Sequence, residues 1–223
     1  MPRYGETDVQ IFNKALHRLG EFLSDVVAVD GTDTSKYGLI AGSEYQATRN
    51  EVLKGHSWVF AMQRALLVPN TTATNLTGFW YMYNVPDDSL RVLYCYSVLP
   101  QWYTTYPFKH IHISKAPYVE EKGILYTDLD SANNNPYVAY IQEQPLGTVW
   151  YEPLFVDAFV LRLSAKIATA VTGEPLDQKA RNQMLAEYAG TLKEAKGKNL
   201  LEIEDDLQES GYNFWTDRAR WTS

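Results

Sequence analysis

Apolar residues near the N-terminus recur three and four positions apart, the spacing that places side chains on one face of a helix. Val9, Phe12 and Leu16 follow this spacing directly after Thr7, a residue type that favours helix N-caps. Gly20 stands where a left-handed C-cap belongs. The pattern therefore predicts a first amphipathic helix between Thr7 and Gly20.

A second amphipathic pattern begins at about Ser43 and ends near Gly55. The residues that follow, Trp58 to Ala61, form a run that is too short and too aromatic to predict a helix. We therefore predict a buried strand at that position.

Two long helices are predicted towards the C-terminal end. Pro153 suits a first helical position, and the run from Leu154 to Val171 carries only three charged residues, which is typical of a helix buried on most sides. Gly173 ends this helix, and another amphipathic helix starts at about Asp177. Because the connection is short, the two helices are predicted to form an antiparallel hairpin.

Short runs with strand character, separated by turn residues, fill the segment between these helical ends. They are Phe79 to Tyr83, Arg91 to Val98, Phe108 to Ser114, Ile124 to Thr127, and Tyr137 to Gln142. Five strands at this spacing predict a small sandwich-like or barrel-like module.

The order helix, strand, helix predicts an α+β fold in which a helical body carries a β-rich insertion. The body would comprise the N-terminal helices and the long C-terminal helical hairpin. We expect an N-terminal helical part at 1–68, the β-rich insertion at 69–150, a C-terminal helical part at 151–209 and an aromatic C-terminal arm at 210–223.

Composition narrows the class of protein. The chain has 223 residues, of which 45% are hydrophobic and 21% charged, and these values exclude a disordered or collagen-like chain. No stretch approaches the roughly 18 uncharged apolar residues of a membrane span, and the polar start gives no expectation of a secretory signal. Aromatic residues reach 13%, an excess that favours strands and protein interfaces.

Charge argues against a protein that grips nucleic acid. The chain has 20 Lys and Arg residues against 27 Asp and Glu residues, a formal net charge of −7. Tight DNA binding needs clustered cations that neutralise phosphates. A surplus of negative charge instead suits a protein past which DNA must slide without sticking.

Motifs for catalysis or metal binding are weak. His110 and His112 lie two apart on a predicted strand and could face one metal ion, but a third ligand at suitable spacing is missing. Asp128 and Asp130 resemble a calcium loop only in their first positions, and a polar turn explains them. Cys95, the single cysteine, lies inside a strand pattern and is expected to be a buried small hydrophobe. We predict no catalytic residue, no cofactor and no metal site.

The C-terminal arm is the feature that composition leaves unexplained. Tryptophan and arginine are enriched at the energetic centres of protein interfaces. The arm either folds back onto its own domain or docks onto a neighbouring subunit or partner. The interface residues proposed for the second interpretation are Phe214, Trp215, Arg218, Arg220 and Trp221.

Four stretches resemble the head-to-tail adaptor family of bacteriophages, which includes tail tubular protein A of short-tailed phages. One of them carries the pattern Pro-Asp-x-x-Leu-Arg-Val at 86–92. The stretches are Ile11 to Glu21, Tyr45 to Phe60, Tyr83 to Val92, and a later group made of Ile124 to Asp128, Val138 to Ile141 and Pro153 to Phe155. Their order and spacing, over nearly the whole chain, carry the resemblance.

The resemblance implies a structural virion protein and no enzyme. Members of the family form a homo-oligomeric ring, commonly a dodecamer, between the portal protein and the tail tube or nozzle protein. Double-stranded DNA passes through the ring at ejection without sequence-specific binding. The resemblance thus places the protein in the virion neck or tail, assembled in the host cytoplasm, with no membrane partner.

Two other classes of function stay open at this stage. One is a different neck or head-completion protein of a tailed phage. The other is a carbohydrate-binding or enzymatic module, for which exposed tryptophans would supply stacking surfaces. The candidate tryptophans are Trp80, Trp102 and Trp150.

Overall fold

The architecture is mixed α+β, as predicted, with helices at both ends of the chain and two antiparallel sheets between them. A computed structural model describes residues 6–21, 26–72, 77–98, 113–131, 135–147, 151–173 and 178–209. The α-helices in these ranges are α1 (Asp8–Arg18), α2 (Lys36–Gly55), α3 (Pro153–Thr172) and α4 (Gln178–Glu209).

Eight strands in the described ranges form two sheets of four strands each. The strands are β1 (Met62–Leu66), β2 (Val68–Pro69), β3 (Tyr81–Asn84), β4 (Ser89–Val98), β5 (Ile113–Ala116), β6 (Tyr118–Glu121), β7 (Ile124–Thr127) and β8 (Asn135–Gln142). Sheet A has the strand order β1-β8-β4-β5, and sheet B has the order β2-β3-β7-β6. All neighbouring strands pair antiparallel.

Local signals at both ends of α1 determine its length. The Thr7 hydroxyl accepts from the Gln10 backbone N–H, and the Gln10 side chain accepts from the Thr7 N–H, a reciprocal capping box. At the other end, Gly20 adopts a positive φ of 90°, and the N–H of Glu21 reaches back to the Leu16 carbonyl at 3.2 Å. Both predicted ends of this helix are confirmed.

The predicted start of α2 at Ser43 is wrong, because the helix begins at Lys36. The Ser35 hydroxyl accepts a hydrogen bond from the Gly38 N–H at 3.0 Å and caps the helix. Two glycines in the first turns, Gly38 and Gly42, lower the intrinsic helix propensity and concealed this part of the helix in the pattern. Gly42 is required for packing, since an added Cβ there would lie 2.8 Å from the Gly31 Cα.

The strand predicted at Trp58 to Ala61 is also wrong. Val59–Ala61 forms a short 3₁₀ helix, and the strand β1 starts at Met62. The fully buried Trp58 donates its indole N–H to the Val52 carbonyl at 3.0 Å. This bond holds the chain against the end of α2. Residues 59–61 therefore form a helical turn, and the extended strand begins only after it.

Helices α3 and α4 pack against each other, as the predicted hairpin requires. Pro153 stands in the first turn of α3, and Gly173 ends the helix with a left-handed φ of 76°. The guanidinium of Arg162 lies over the Tyr188 ring, and the two residues lie at similar distances from the connection, which makes the pair antiparallel.

Four of the five predicted strands correspond to β3, β4, β7 and β8 within a few residues. Of the predicted strand at 108–114, only Ile113 and Ser114 lie in the described residues, and both belong to β5. The sequence pattern does not predict β1, β2 or β6. β1 carries few β-branched residues and becomes a strand because it pairs with β8 over five positions, from Met62 opposite Ile141 to Leu66 opposite Tyr137.

Two hydrophobic cores share sheet A. One core joins the four helices to one face of the sheet, where Ile141 is buried and Leu90 and Leu93 pack against it. The other core lies between the two sheets and contains Val138 and Leu125. The β-rich part is therefore a sandwich, and one face of sheet A also packs against the helical body.

Candidate functional site

The interface residues predicted in the C-terminal arm lie outside the described residues. This holds for Phe214, Trp215, Arg218, Arg220 and Trp221. The candidates His110, His112, Trp102 and Trp150 also lie outside them. These predictions stay predictions.

Other sequence candidates have structural explanations. Cys95 is fully buried between the sheets, and burial raises the pKa of its thiol to about 11. Asp128 accepts a hydrogen bond from the backbone N–H of Trp80 at 3.2 Å. Within the described ranges, no group of three or more His, Cys, Asp or Glu residues is arranged to hold a metal ion. None of the described helices combines the length and the apolar character that a membrane crossing requires.

A buried polar cluster, which the sequence analysis missed, connects the helical body to the end of β8. Asp8 is 4% exposed, although it lies in the first turn of α1. Its Oδ1 accepts from the hydroxyls of Tyr45, at 2.7 Å, and Tyr151, at 3.0 Å. Its Oδ2 accepts from the Gly147 N–H at 2.6 Å. Burial and the adjacent carboxylate raise the pKa of the Tyr45 hydroxyl far above its usual value.

Arg49 supplies the positive charge of this cluster. Its side chain is fully buried, with Nη1 3.7 Å from Asp8 Oδ1. Nη1 donates to the Tyr151 hydroxyl at 3.0 Å, and Nη2 donates to the Gln144 carbonyl and the Gln46 side chain. The charges are buried and therefore inaccessible to a substrate. The hydrogen bonds of the cluster instead hold the β8–α3 connection against α1 and α2. The partners of Asp8 lie between 37 and 143 residues away along the chain, so no local sequence signal reveals the cluster.

Helix α1 also borders an open groove of about 440 Å³ towards α3 and α4. Its rim carries Lys14, Arg18, Asp157 and Glu187, and Arg18 pairs with Glu187 across it. A groove with opposite charges already paired across its rim offers no concentrated field for a charged ligand.

The outer face of sheet B, the face turned away from sheet A, carries apolar side chains on all four strands. Tyr83 and Leu125 face the core between the sheets, so their strand neighbours face outward. We call the apolar members of the outward-facing set the sheet B platform. It consists of Val68, Trp80, Met82, Val119, Ile124 and Tyr126. Asn84 and Glu121 face the same way, and Tyr126 is 6% exposed. Trp80 is 81% exposed and Val68 is 60% exposed.

The face of sheet A that packs against the helices continues past them, and its uncovered part faces outward. Cross-strand pairing places Leu66, Tyr137, Tyr96 and Lys115 side by side in a row over all four strands. The rings of Tyr96 and Tyr137 stack at 5.5 Å, and the Lys115 ammonium lies 4.6 Å from the centre of the Tyr94 ring. We call Arg64, Leu66, Tyr94, Tyr96, Lys115 and Tyr137 the sheet A platform, of which Tyr96 is 4% exposed. Leu66 is 54% exposed, and Arg64 and Lys115 are exposed.

The two sheets carry charges of opposite sign. The strands of sheet A contain the cations Arg64, Arg91 and Lys115 and no carboxylate. The strands of sheet B contain Glu120 and Glu121 and no cation. Neither Arg64 nor Lys115 forms an ion pair with a carboxylate among the described residues.

Comparison with known proteins adds no family: no family model matches the chain, and no curated protein matches it significantly. In the described part of the β sandwich, the most exposed large apolar side chains are those of Trp80, Val68 and Leu66. Exposed apolar side chains that cluster on a surface are typical of contacts with other macromolecules.

Proposed function

We propose that the protein is a head-to-tail adaptor of a bacteriophage virion. It assembles as a ring of identical copies between the portal and the tail tube or nozzle, and the family resemblance implies twelve copies. The ring forms part of the channel through which double-stranded DNA leaves the capsid, without sequence-specific contacts.

The observation that carries this proposal is the pair of apolar platforms on two different faces of one sandwich. A ring is built from heterologous contacts, so every subunit needs two different faces that match each other. A monomer that leaves Trp80 81% exposed and Val68 and Leu66 more than half exposed gains nothing from these side chains in isolation.

Charge and resemblance support the same function. The formal net charge of −7 opposes adhesion of the passing duplex to the protein. The four stretches that resemble the adaptor family include the pattern Pro-Asp-x-x-Leu-Arg-Val at 86–92, which forms the turn into β4 and its first residues.

The test is to mix purified protein with its cognate portal rings and to image the product by electron microscopy. We expect a collar of density on the tail-facing side of the portal. A Trp215→Ala/Trp221→Ala variant tests the arm, because loss of both rings should weaken portal binding if the arm docks there. Leu39→Ala, which removes an exposed apolar side chain of α2 outside both platforms and the arm, is the matched control. Bare portal rings at saturating protein concentration contradict the proposal.

The exposed indole of Trp80 favours a carbohydrate-binding module as the second candidate, since a sugar ring stacks on such a surface. A glycan-binding screen separates the two functions. Binding that Trp80→Ala abolishes, together with bare portal rings, would support the second candidate over the first.

A further inference from the structure

An outward sheet face of a β sandwich is ordinarily polar, because outward residues alternate with the core residues along each strand. Each of the four strands of sheet B departs from this rule at one position or more, although Asn84 on β3 and Glu121 on β6 keep the polar type. Val68 lies on β2, Met82 on β3, Ile124 on β7 and Val119 on β6. The exposed apolar side chains on this face, with Trp80 81% and Val68 60% exposed, favour a partner surface that covers them.

The charges around the platform define that partner. Glu121 projects from the same face of β6, and Asp128 lies beside Trp80 at the end of β7. Lys122 is the one cation in the turn between β6 and β7. A matching surface must therefore be apolar in its centre and positively charged at its rim.

The sheet A platform has these properties. Leu66 and the rings of Tyr94 and Tyr137 supply apolar area, and Arg64 and Lys115 supply cations on the two edge strands. Tyrosine and arginine are also residue types that interfaces favour. Both platforms span four strands, so their widths agree at about 15 Å between the outer strands.

We infer that the sheet B platform of one copy docks on the sheet A platform of a second copy of this chain. The inference rests on the proposed function, because it identifies the contact that would join neighbours in the ring. The contact is heterologous and leaves one free platform on each end of a pair, so it continues from copy to copy until the ring closes.

The size of the platforms sets the strength of the contact. Stable complexes bury about 800 Å² on each partner, and a four-strand face alone provides less than that. A pair of copies therefore associates weakly. Each copy in a closed ring makes two such contacts, so closure stabilises the assembly beyond an isolated pair.

Two variants that each disable one platform provide the test. Val68→Asp/Trp80→Asp adds charge to the sheet B platform, and Arg64→Glu/Leu66→Asp reverses the rim of the sheet A platform. All four side chains are exposed, so the fold should tolerate the changes, and circular dichroism and thermal melts verify this. Leu39→Asp is the matched control, because Leu39 is 60% exposed like Val68 but lies on α2.

Sedimentation velocity over a concentration series measures association. We expect wild type and Leu39→Asp to associate with rising concentration, and each platform variant alone to stay monomeric at least tenfold beyond the wild-type midpoint. An equimolar mixture of the two platform variants should form dimers and stop there, because each dimer retains one intact contact and two disabled faces. Strictly monomeric wild type, platform variants that associate like wild type, or a mixture without dimers overturns the inference.

Electron microscopy of the same variants on portal rings separates this inference from the proposed function. If wild type decorates portals and the platform variants form the same collar, the inference fails while the proposed function stands. If wild type associates through the platforms but never decorates portals, the proposed function fails while the inference stands.

Discussion

Asp8 illustrates how one residue acquires a role that its position along the chain does not suggest. A carboxylate in the first turn of a helix ordinarily interacts with the helix dipole in water. Here it is buried with Arg49 and accepts hydrogen bonds from two tyrosine hydroxyls and a backbone N–H. Buried charges of this kind contribute to stability only as a complete set.

We expect Asp8→Ala to lower the free energy of unfolding by about 3–5 kcal/mol, because it leaves the Arg49 charge buried without its partner. Lys14→Ala, which removes an exposed ion pair with Glu6 at 2.5 Å, should cost about 1 kcal/mol or less. Urea denaturation measures both values. Adding Arg49→Met to Asp8→Ala should recover part of the lost stability. If Asp8→Ala and Lys14→Ala lowered the free energy of unfolding equally, the buried-pair explanation would be contradicted.

His56 makes stability depend on pH. Burial lowers the pKa of its imidazole below the usual value, and the cations Lys196 and Arg91 lower it further. As pH falls through the ordinary histidine range near 6.5, the unfolded chain takes up a proton before the folded chain does, so stability decreases. Below the folded-state pKa the loss is complete.

We therefore expect His56→Gln to flatten the decline in stability between about pH 7.5 and pH 5.5. Urea denaturation of wild type and variant at both pH values measures the difference between the two slopes. An unchanged pH slope in the variant would show that other groups cause the decline.

At the scale of elements, the ends of helices follow from local chemistry. Gly173 has a positive φ of 76° and ends α3, whereas Gly190 lies inside α4 with no heavy atom within 4 Å of an added Cβ. The two glycines thus stand in opposite situations. An alanine is strained at the first position and favoured at the second.

We expect Gly173→Ala to lower the free energy of unfolding by about 1 kcal/mol and Gly190→Ala to raise it by about 1 kcal/mol. The two variants make the same chemical change and act as controls for each other in thermal melts. If Gly190→Ala lowered the stability instead, helix propensity would not decide the effect of a residue at this position of α4.

At the scale of the whole molecule, β8 connects the two hydrophobic cores. Ile141 faces the helical core, and Val138 and Tyr140 on the same strand face the core between the sheets. Neither core retains its packing if β8 leaves sheet A. The helical body and the sandwich should therefore unfold together.

We expect a single calorimetric transition whose van't Hoff and calorimetric enthalpies agree, as for a two-state unit. Val138→Ala, which opens a cavity on the sandwich side alone, should shift this transition as a whole, by about 1–3 kcal/mol. Two resolved transitions, with only one shifted by Val138→Ala, would show that the cores unfold independently.

The sequence by itself determined what depends on neighbours along the chain. Both ends of α1, the Pro153 start and Gly173 end of α3, and the α+β class follow from caps, glycines and periodicity within a few residues. The start of α2 was not predicted, because Gly38 and Gly42 pack closely against residues outside the helix. Helix propensity contains no information on such packing.

Only the tertiary structure decided the features on which association depends. Strand pairing brings Leu66, Tyr137, Tyr96 and Lys115 into one row, although more than seventy residues separate the first from the second. The burial of Asp8 with Arg49 likewise depends on how α1 and α2 meet the connection between β8 and α3. Such contacts arise from register and packing between distant segments, and a local pattern contains no information on either.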